Sequence, residues 1–216
     1  MTSSKIKIVY VTQSDFKKEE NRVFAEVCSL ADGMPISDLF EFELRNLNVK
    51  EALEIDLDAM VRAEVKKAYT QIRVPCIVEH AGLIFEGYDT YPGGLTKPMW
   101  DFLGEKFIEE TRSGGRRVTA RAVVAYCDGK DVRTFVGETK GSISDKPKGD
   151  RAFYWDTVFV PDTSDTKAKD KTYAEIVGEP KLGLAYKMSQ LSQSSRALIG
   201  FLEYRRKNPP GLWSQL

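Results

Sequence analysis

An α/β fold is written into the chain's first unit, a strand that runs through a polar loop into an amphipathic helix. Residues 5–12, Lys-Ile-Lys-Ile-Val-Tyr-Val-Thr, are a β-branched run of strand type. Gln13-Ser14-Asp15 follows, and over residues 16–31 Phe16, Val23, Phe24, Val27, Leu30 and Ala31 fall at helical spacing. Gly33 and Pro35 then stop the helix. Such a unit turns its loop and helix N-terminus toward the carboxyl edge of a sheet, where anions bind well.

Further along, residues 36–44 predict a second strand, and 58–72 a helix with Met60, Val61, Val65, Ala68, Tyr69 and Ile72 on one side. Residues 74–79 predict a short buried strand that opens into a polar loop at Glu79-His80. The Gly/Pro-rich stretch 87–98 predicts a functional loop, since loops of this length are uncommon in compact domains. Residues 99–111 are helical in pattern. Residues 118–127 and 132–137 form a predicted hairpin across Asp128-Gly129-Lys130-Asp131. Residues 146–151 form a loop into the aromatic cluster at 153–155, residues 162–171 a mobile polar loop, and 187–206 a closing helix. The chain reads as one domain over 1–216, with 208–216, including Trp213, as a tail.

With 216 residues and 42% apolar content there is enough material for a substantial core. Thirty-two basic residues balance thirty-two acidic ones, which argues against nucleic acid or a membrane surface as partner. No run approaches the ~20 apolar residues of a membrane span, and the first residues lack a signal-peptide core. Cys28, Cys76 and Cys127 lie far apart without a CxxC pair, the pattern of buried reduced thiols. A cytoplasmic location is expected.

The chemistry-bearing motifs come in a fixed order. They are Thr12 to Lys17, Glu54-Ile55-Asp56, Val78-Glu79-His80-Ala81-Gly82-Leu83, Gly137 with Gly141, Asp150 to Asp156, Thr172-Tyr173-Ala174-Glu175, and Ser192 to Leu198. Together they resemble the inosine triphosphatase family, whose members split triphosphates of deaminated purines between the α and β phosphates. The resemblance implies an α/β fold: an elongated mixed sheet flanked by helices, in two lobes around a central nucleotide cleft. It also implies a purine nucleoside triphosphate as ligand, magnesium as cofactor and, in general, a homodimer.

Carried over residue by residue, it gives Thr12, Ser14, Lys17 and Lys187 to the triphosphate. It gives Glu54 and Glu79 to the metal, with Glu51 as the alternative to Glu54. Glu79 and His80 take the catalytic positions. Phe153 stacks on the base, Trp155 and Asp156 frame it, and Gln193 and Ser194 read its edge. Several of these depart from the family pattern. Ser14 stands for Asn, Glu64 for Lys, His80 for the acid that serves metal and water, Tyr154 for Gly, and Gln193-Ser194 for His-Arg. Imidazole adds no charge and is a poor ligand for magnesium, although a histidine titrating near ~6.5 can act as a base.

Two functions follow from the resemblance. In one, the cleft binds dITP, ITP or XTP with hydrolysis weakened or lost, as the sensing subunit of a larger complex, an antiviral one by analogy. In the other, the chain is an active house-cleaning pyrophosphatase. The spread of the departures over phosphate, metal and base positions points to the first, and on that reading His80→Asp should raise hydrolysis.

Overall fold

The computed structural model describes residues 4–50 and 52–210, and for 151–153 the backbone alone. Glu51, the Phe153 side chain and the tail from 211 with Trp213 lie outside the described residues. The order of elements is β1 Ile6–Val11, α1 Asp15–Val27, α2 Ile36–Leu39, β2 Phe40–Arg45, α3 Leu57–Ile72 and β3 Cys76–Phe85. Then come α4 Thr96–Leu103, α5 Lys106–Glu110, β4 Arg117–Cys127, β5 Val132–Ile143, β6 Phe159–Pro161, α6 Tyr173–Gly178, α7 Gly183–Tyr186 and α8 Gln193–Lys207. One six-stranded sheet runs β2-β1-β3-β4-β5-β6. β1 pairs in parallel with β2 and briefly with β3, and every later pair is antiparallel.

The long strands make two lobes out of one sheet. In β3, Ile77 belongs to a core closed by α1 and α8, through Val23, Phe24, Leu198, Phe201 and Leu202. Cys76 and Val78 face the other way, against Val61, Val65 and Ala68 of α3. Six residues beyond Ile77, Leu83 enters a separate core with Phe107, Phe159, Tyr173 and Ile176. Between these cores lies the segment from Glu79 to Ala81, and there the cleft opens.

The expected β1–α1 unit forms, but α1 ends at Val27 rather than at residue 31 because Cys28 is already extended; Ser14 is its N-cap, and its hydroxyl accepts from the Lys17 amide at 3.3 Å. Thr172 and Glu175 prove to be a capping box at the start of α6. All three cysteines are free and buried, and burial pushes the Cys76 thiol up to about 12 and that of Cys28 to about 11. No helix among the described residues is long and apolar enough to cross a membrane.

Five further elements differ from expectation. The strand expected over 36–44 starts with the helical turn Ile36–Leu39, seeded by Pro35 at φ −58°. β3 does not open into a loop at Glu79-His80; it continues to Phe85 in unbroken register with β4. Both polar side chains find partners on their own face of the sheet, so solvent is not required. Residues 99–111 divide into α4 and α5 at Gly104, whose φ of 57° ends the helix. The closing helix is interrupted by a π-helical turn, Lys187–Leu191, and restarts at Ser192 as the N-cap of α8. Residues 162–171 are tied down: Arg117 holds Asp162 through two bonds of 2.9 and 2.6 Å, Asp165 accepts from the Tyr186 hydroxyl at 2.8 Å, and Ala168 is fully buried.

Candidate active site

Three walls enclose a cleft with about 200 Å³ of room. The N-terminal turn of α1 brings Ser14, Phe16, Lys17 and Glu20 to it, and β3 brings Glu79, His80 and Ala81. From the second lobe come Lys97 and Pro98 of α4 and the segment Tyr154, Trp155 and Asp156, while Lys187, Gln193 and Ser194 close the back. Thr12 and Glu54 are not among the lining residues. Thr12 accepts from the Ser14 amide at 3.2 Å and shapes the loop. Glu54 is exposed and accepts from the Ile55 amide at 2.8 Å, capping its own turn.

Glu79 is the most heavily served group. Its side chain accepts from the Tyr10 hydroxyl at 2.7 Å and from the Ser194 hydroxyl at 2.7 Å. Lys17 donates to the Glu79 backbone carbonyl, with its ammonium 3.8 Å from the carboxylate. Burial opposes the charge, yet Lys17, Tyr10 and Ser194 outweigh it and hold the carboxyl below its usual value. Tyr10 is driven well up by burial and by Glu79, so it stays a neutral donor.

His80 still lines the cleft but points to its α3 side, where its Nε2 meets the Glu64 carboxylate in a largely buried contact. Two departures from the family pattern, at positions 64 and 80, are therefore in direct contact. Lys187 is 3% exposed and lies between two carboxylates, in contact with Asp156 and 2.8 Å from Glu20, with its ammonium 4.8 Å over the Tyr173 ring. Burial works against its charge, but Asp156 and Glu20 more than offset this and raise its pKa. Lys187 thus pins the π-turn to α1 and to the aromatic segment, and its charge is already neutralised.

The sequence reading assigned no role to Phe16, Glu20 and Lys97 as lining residues, nor to Tyr10 and Tyr173 as supports of Glu79 and Gln193, while Tyr154 and Glu64 stood out only as departures from the family pattern. Glu20 was within reach, because it follows Lys17 by one helical turn and shares its face. Lys97 sits in the Gly/Pro-rich stretch already read as functional. Tyr154 takes φ 51°, a left-handed conformation that glycine adopts freely and tyrosine only under strain. Its ring meets the Phe16 edge at 5.6 Å, and the Lys97 ammonium lies 5.2 Å over it. Helices from both lobes therefore meet on one strained tyrosine.

Magnesium fits poorly. Of the carboxylates on the walls, Glu20 and Asp156 hold Lys187, and Glu79 already takes two hydroxyl donors. Among the described residues no three His, Cys, Asp or Glu side chains converge as ligands. The described residues do not by themselves form a magnesium site. They do present a lysine and an aromatic face from each lobe, Lys17 with Phe16 and Lys97 with Tyr154, the complement of a planar anion.

The sequence pattern of the Ham1 family matches residues 8–201. The chain belongs to the Ham1 family. A dITP/XTP pyrophosphatase of Saccharolobus solfataricus is 30% identical over 174 residues, 78% of this chain and 84% of that protein. One of Methanopyrus kandleri is 29% identical over 175 residues, 79% and 86% of the two chains. A Ham1 structure from Coxiella burnetii matches the fold with a TM-score of 0.65 at 17% identity, covering 92% of this chain and 99% of that one. The inosine triphosphatase resemblance thus stands at the level of family and fold. In this Ham1 member, a strained tyrosine and a His80–Glu64 contact stand at the cleft.

Proposed function

We propose that this Ham1 protein binds purine nucleoside triphosphates of the dITP/XTP class in the cleft and cleaves them to monophosphate and pyrophosphate. The observation that carries this is the convergence of Lys17, Glu79, Asp156 and Gln193, from four separate stretches of the chain, on one cavity. The names of the relatives support turnover over the sensing role to which the sequence departures pointed. In this reading the triphosphate lies along Lys17 and Lys97 and the base lies toward Trp155 and Gln193. Lys17 neutralises phosphate charge, and His80 accepts the proton of the attacking water while Glu64 orients its ring.

A second reading, binding without turnover in a complex with an effector protein, is favoured by one specific observation. Each Glu79 oxygen already accepts from a hydroxyl, Glu20 and Asp156 hold Lys187, and position 80 carries no acid, so every carboxylate on the described walls is already engaged. Binding and pyrophosphate release, measured side by side with dITP, ITP, XTP, GTP and ATP in the presence of magnesium, separate the two. Release that disappears in Lys17→Ala supports the pyrophosphatase. Tight binding of dITP with background release supports the sensor, and absence of binding to all five removes both.

A further inference from the structure

We infer that Tyr173 sets the base selectivity of the cleft by holding the Gln193 side-chain amide with its oxygen inward and its NH2 toward the bound base. The inference rests on the nucleotide reading above and adds the polarity of its base-reading group. A free glutamine amide is ambiguous, since either end can face a ligand and it offers a donor or an acceptor with equal ease. In this protein the two ends are not equivalent. The Tyr173 hydroxyl lies 3.2 Å from Gln193 Oε1, whereas Gln193 Nε2 has no protein partner among the described residues. Gln193 lines the cleft, and Tyr173 stands behind it, fully buried and outside the lining.

One proton decides the orientation. Tyr173 has a single O–H, and two acceptors are within reach: Gln193 Oε1 and the Leu191 carbonyl, 3.0 Å away. Were the proton to go to Leu191, the tyrosine oxygen would instead accept from the amide NH2, and the amide would turn its oxygen outward. Thr139 weights the competition, because its own hydroxyl already donates to the Leu191 carbonyl and takes one of that oxygen's two lone pairs, which makes Gln193 Oε1 the less occupied acceptor. The same Thr139 oxygen takes a bond from Arg196 at 2.9 Å, which holds its proton away from the guanidinium and on Leu191. The balance draws the Tyr173 proton toward Gln193.

The backbone beneath the amide is held equally firmly. Gly137 of β5 allows the first turn of α8 to lie against the strand, where a Cβ would collide with the Gln193 carbonyl and the Ala197 amide. Ser192 caps the same turn, accepting from the Ser195 amide at 3.2 Å. A fixed donor in the cleft wall favours a base edge that presents a carbonyl, as hypoxanthine and xanthine do at the 6-position. It disfavours adenine, whose amino group there would leave two donors facing one another. Guanine carries the same carbonyl, so this device does not exclude it.

The test compares binding of ITP and ATP to the full chain, as wild type and as Tyr173→Phe, Thr139→Val and Gln193→Ala. Tyr173→Phe keeps the ring and its position over Lys187 but frees the amide, and should reduce the ITP-to-ATP affinity ratio about tenfold with little change in melting temperature. Thr139→Val should do the same by another route, drawing the Tyr173 proton to Leu191. Adding Tyr173→Phe to Gln193→Ala should change the ratio no further, since the tyrosine acts only through the amide. A ratio unchanged in Tyr173→Phe, while Gln193→Ala lowers it, overturns the inference and leaves the proposed function standing. Failure of the wild type to bind either nucleotide removes the nucleotide reading and the inference with it.

Discussion

One peptide bond and the thickness of the sheet separate Glu79 from His80. The strand alternation sends Glu79 toward α1 and α8, where two hydroxyls and an ammonium were already available to stabilise a buried negative charge. It sends His80 toward α3, where a single carboxylate answers it. The first arrangement is a network in which each donor has several reasons to be where it is. The second is a pair, complete in itself, and each member explains the other. A residue held by a network resists replacement, while a residue held in a pair can be exchanged if its partner changes too.

The strongest way to break this contrast is Glu79→Ala. It strands the buried Tyr10 and Ser194 hydroxyls and leaves Lys17 without its counter-charge, so a loss of about 3 kcal/mol in urea unfolding is expected, together with loss of nucleotide binding. The pH dependence gives the same interaction a sign. Because the folded pKa of Glu79 lies below its usual 4.5, the stabilisation is fully present above that pH and is lost as pH falls through the folded value. The wild-type advantage over Glu79→Ala should therefore be flat near neutrality and shrink below about 4.5. An advantage that grew toward acid would mean that the network does not hold an ionised carboxylate.

The pair makes a different prediction. Taken from sequence, His80→Asp looks like a restoration of the family's acid, and hydrolysis should rise. Contact with Glu64 changes that expectation, because the new carboxylate would face another across the partly buried gap that the imidazole now fills. The single substitution should lower stability by about 2 kcal/mol without raising pyrophosphate release. Coupling it with Glu64→Lys rebuilds an ion pair with the charges exchanged and should recover the lost melting temperature. Additivity of the two single effects would show that positions 64 and 80 are independent and that the exchange is accidental.

Much of this was legible beforehand where local pattern decides the outcome. The β1–α1 unit and the hairpin at 128–131 followed from periodicity and turn residues, and the gathering of Lys17, Glu79, Asp156 and Gln193 from the resemblance to the inosine triphosphatase family. What was not legible depends on partners distant in sequence. Glu79-His80 reads as a loop because two polar residues end an apolar run, and nothing nearby announces that Tyr10, Glu64 and Ser194 will satisfy them inside a strand. Lys187 reads as a phosphate ligand until Glu20 and Asp156 are found on either side of it. Tyr173 lies in a motif whose visible feature, the Thr172–Glu175 capping box, concerns its neighbours.

Tyr154 offers the finest test, because here fold and binding should move in opposite directions. At φ 51° a tyrosine is strained, and the cost is borne by a residue that joins Phe16 of one lobe to Lys97 of the other across the cleft. Glycine at 154 would relieve about 1 kcal/mol of backbone strain, while the lost ring contacts with Phe16 and Lys97 return a similar amount. Stability should therefore stay level or rise slightly in Tyr154→Gly, and nucleotide affinity should fall several-fold as the aromatic wall between α1 and α4 is removed. Tyr154→Ala keeps most of the strain and loses the same wall, so it should be less stable than the glycine variant yet bind equally poorly. If affinity instead followed stability through the two variants, the tyrosine would be a packing residue. If the glycine variant alone lost affinity, the bent backbone rather than the ring would be shaping the site.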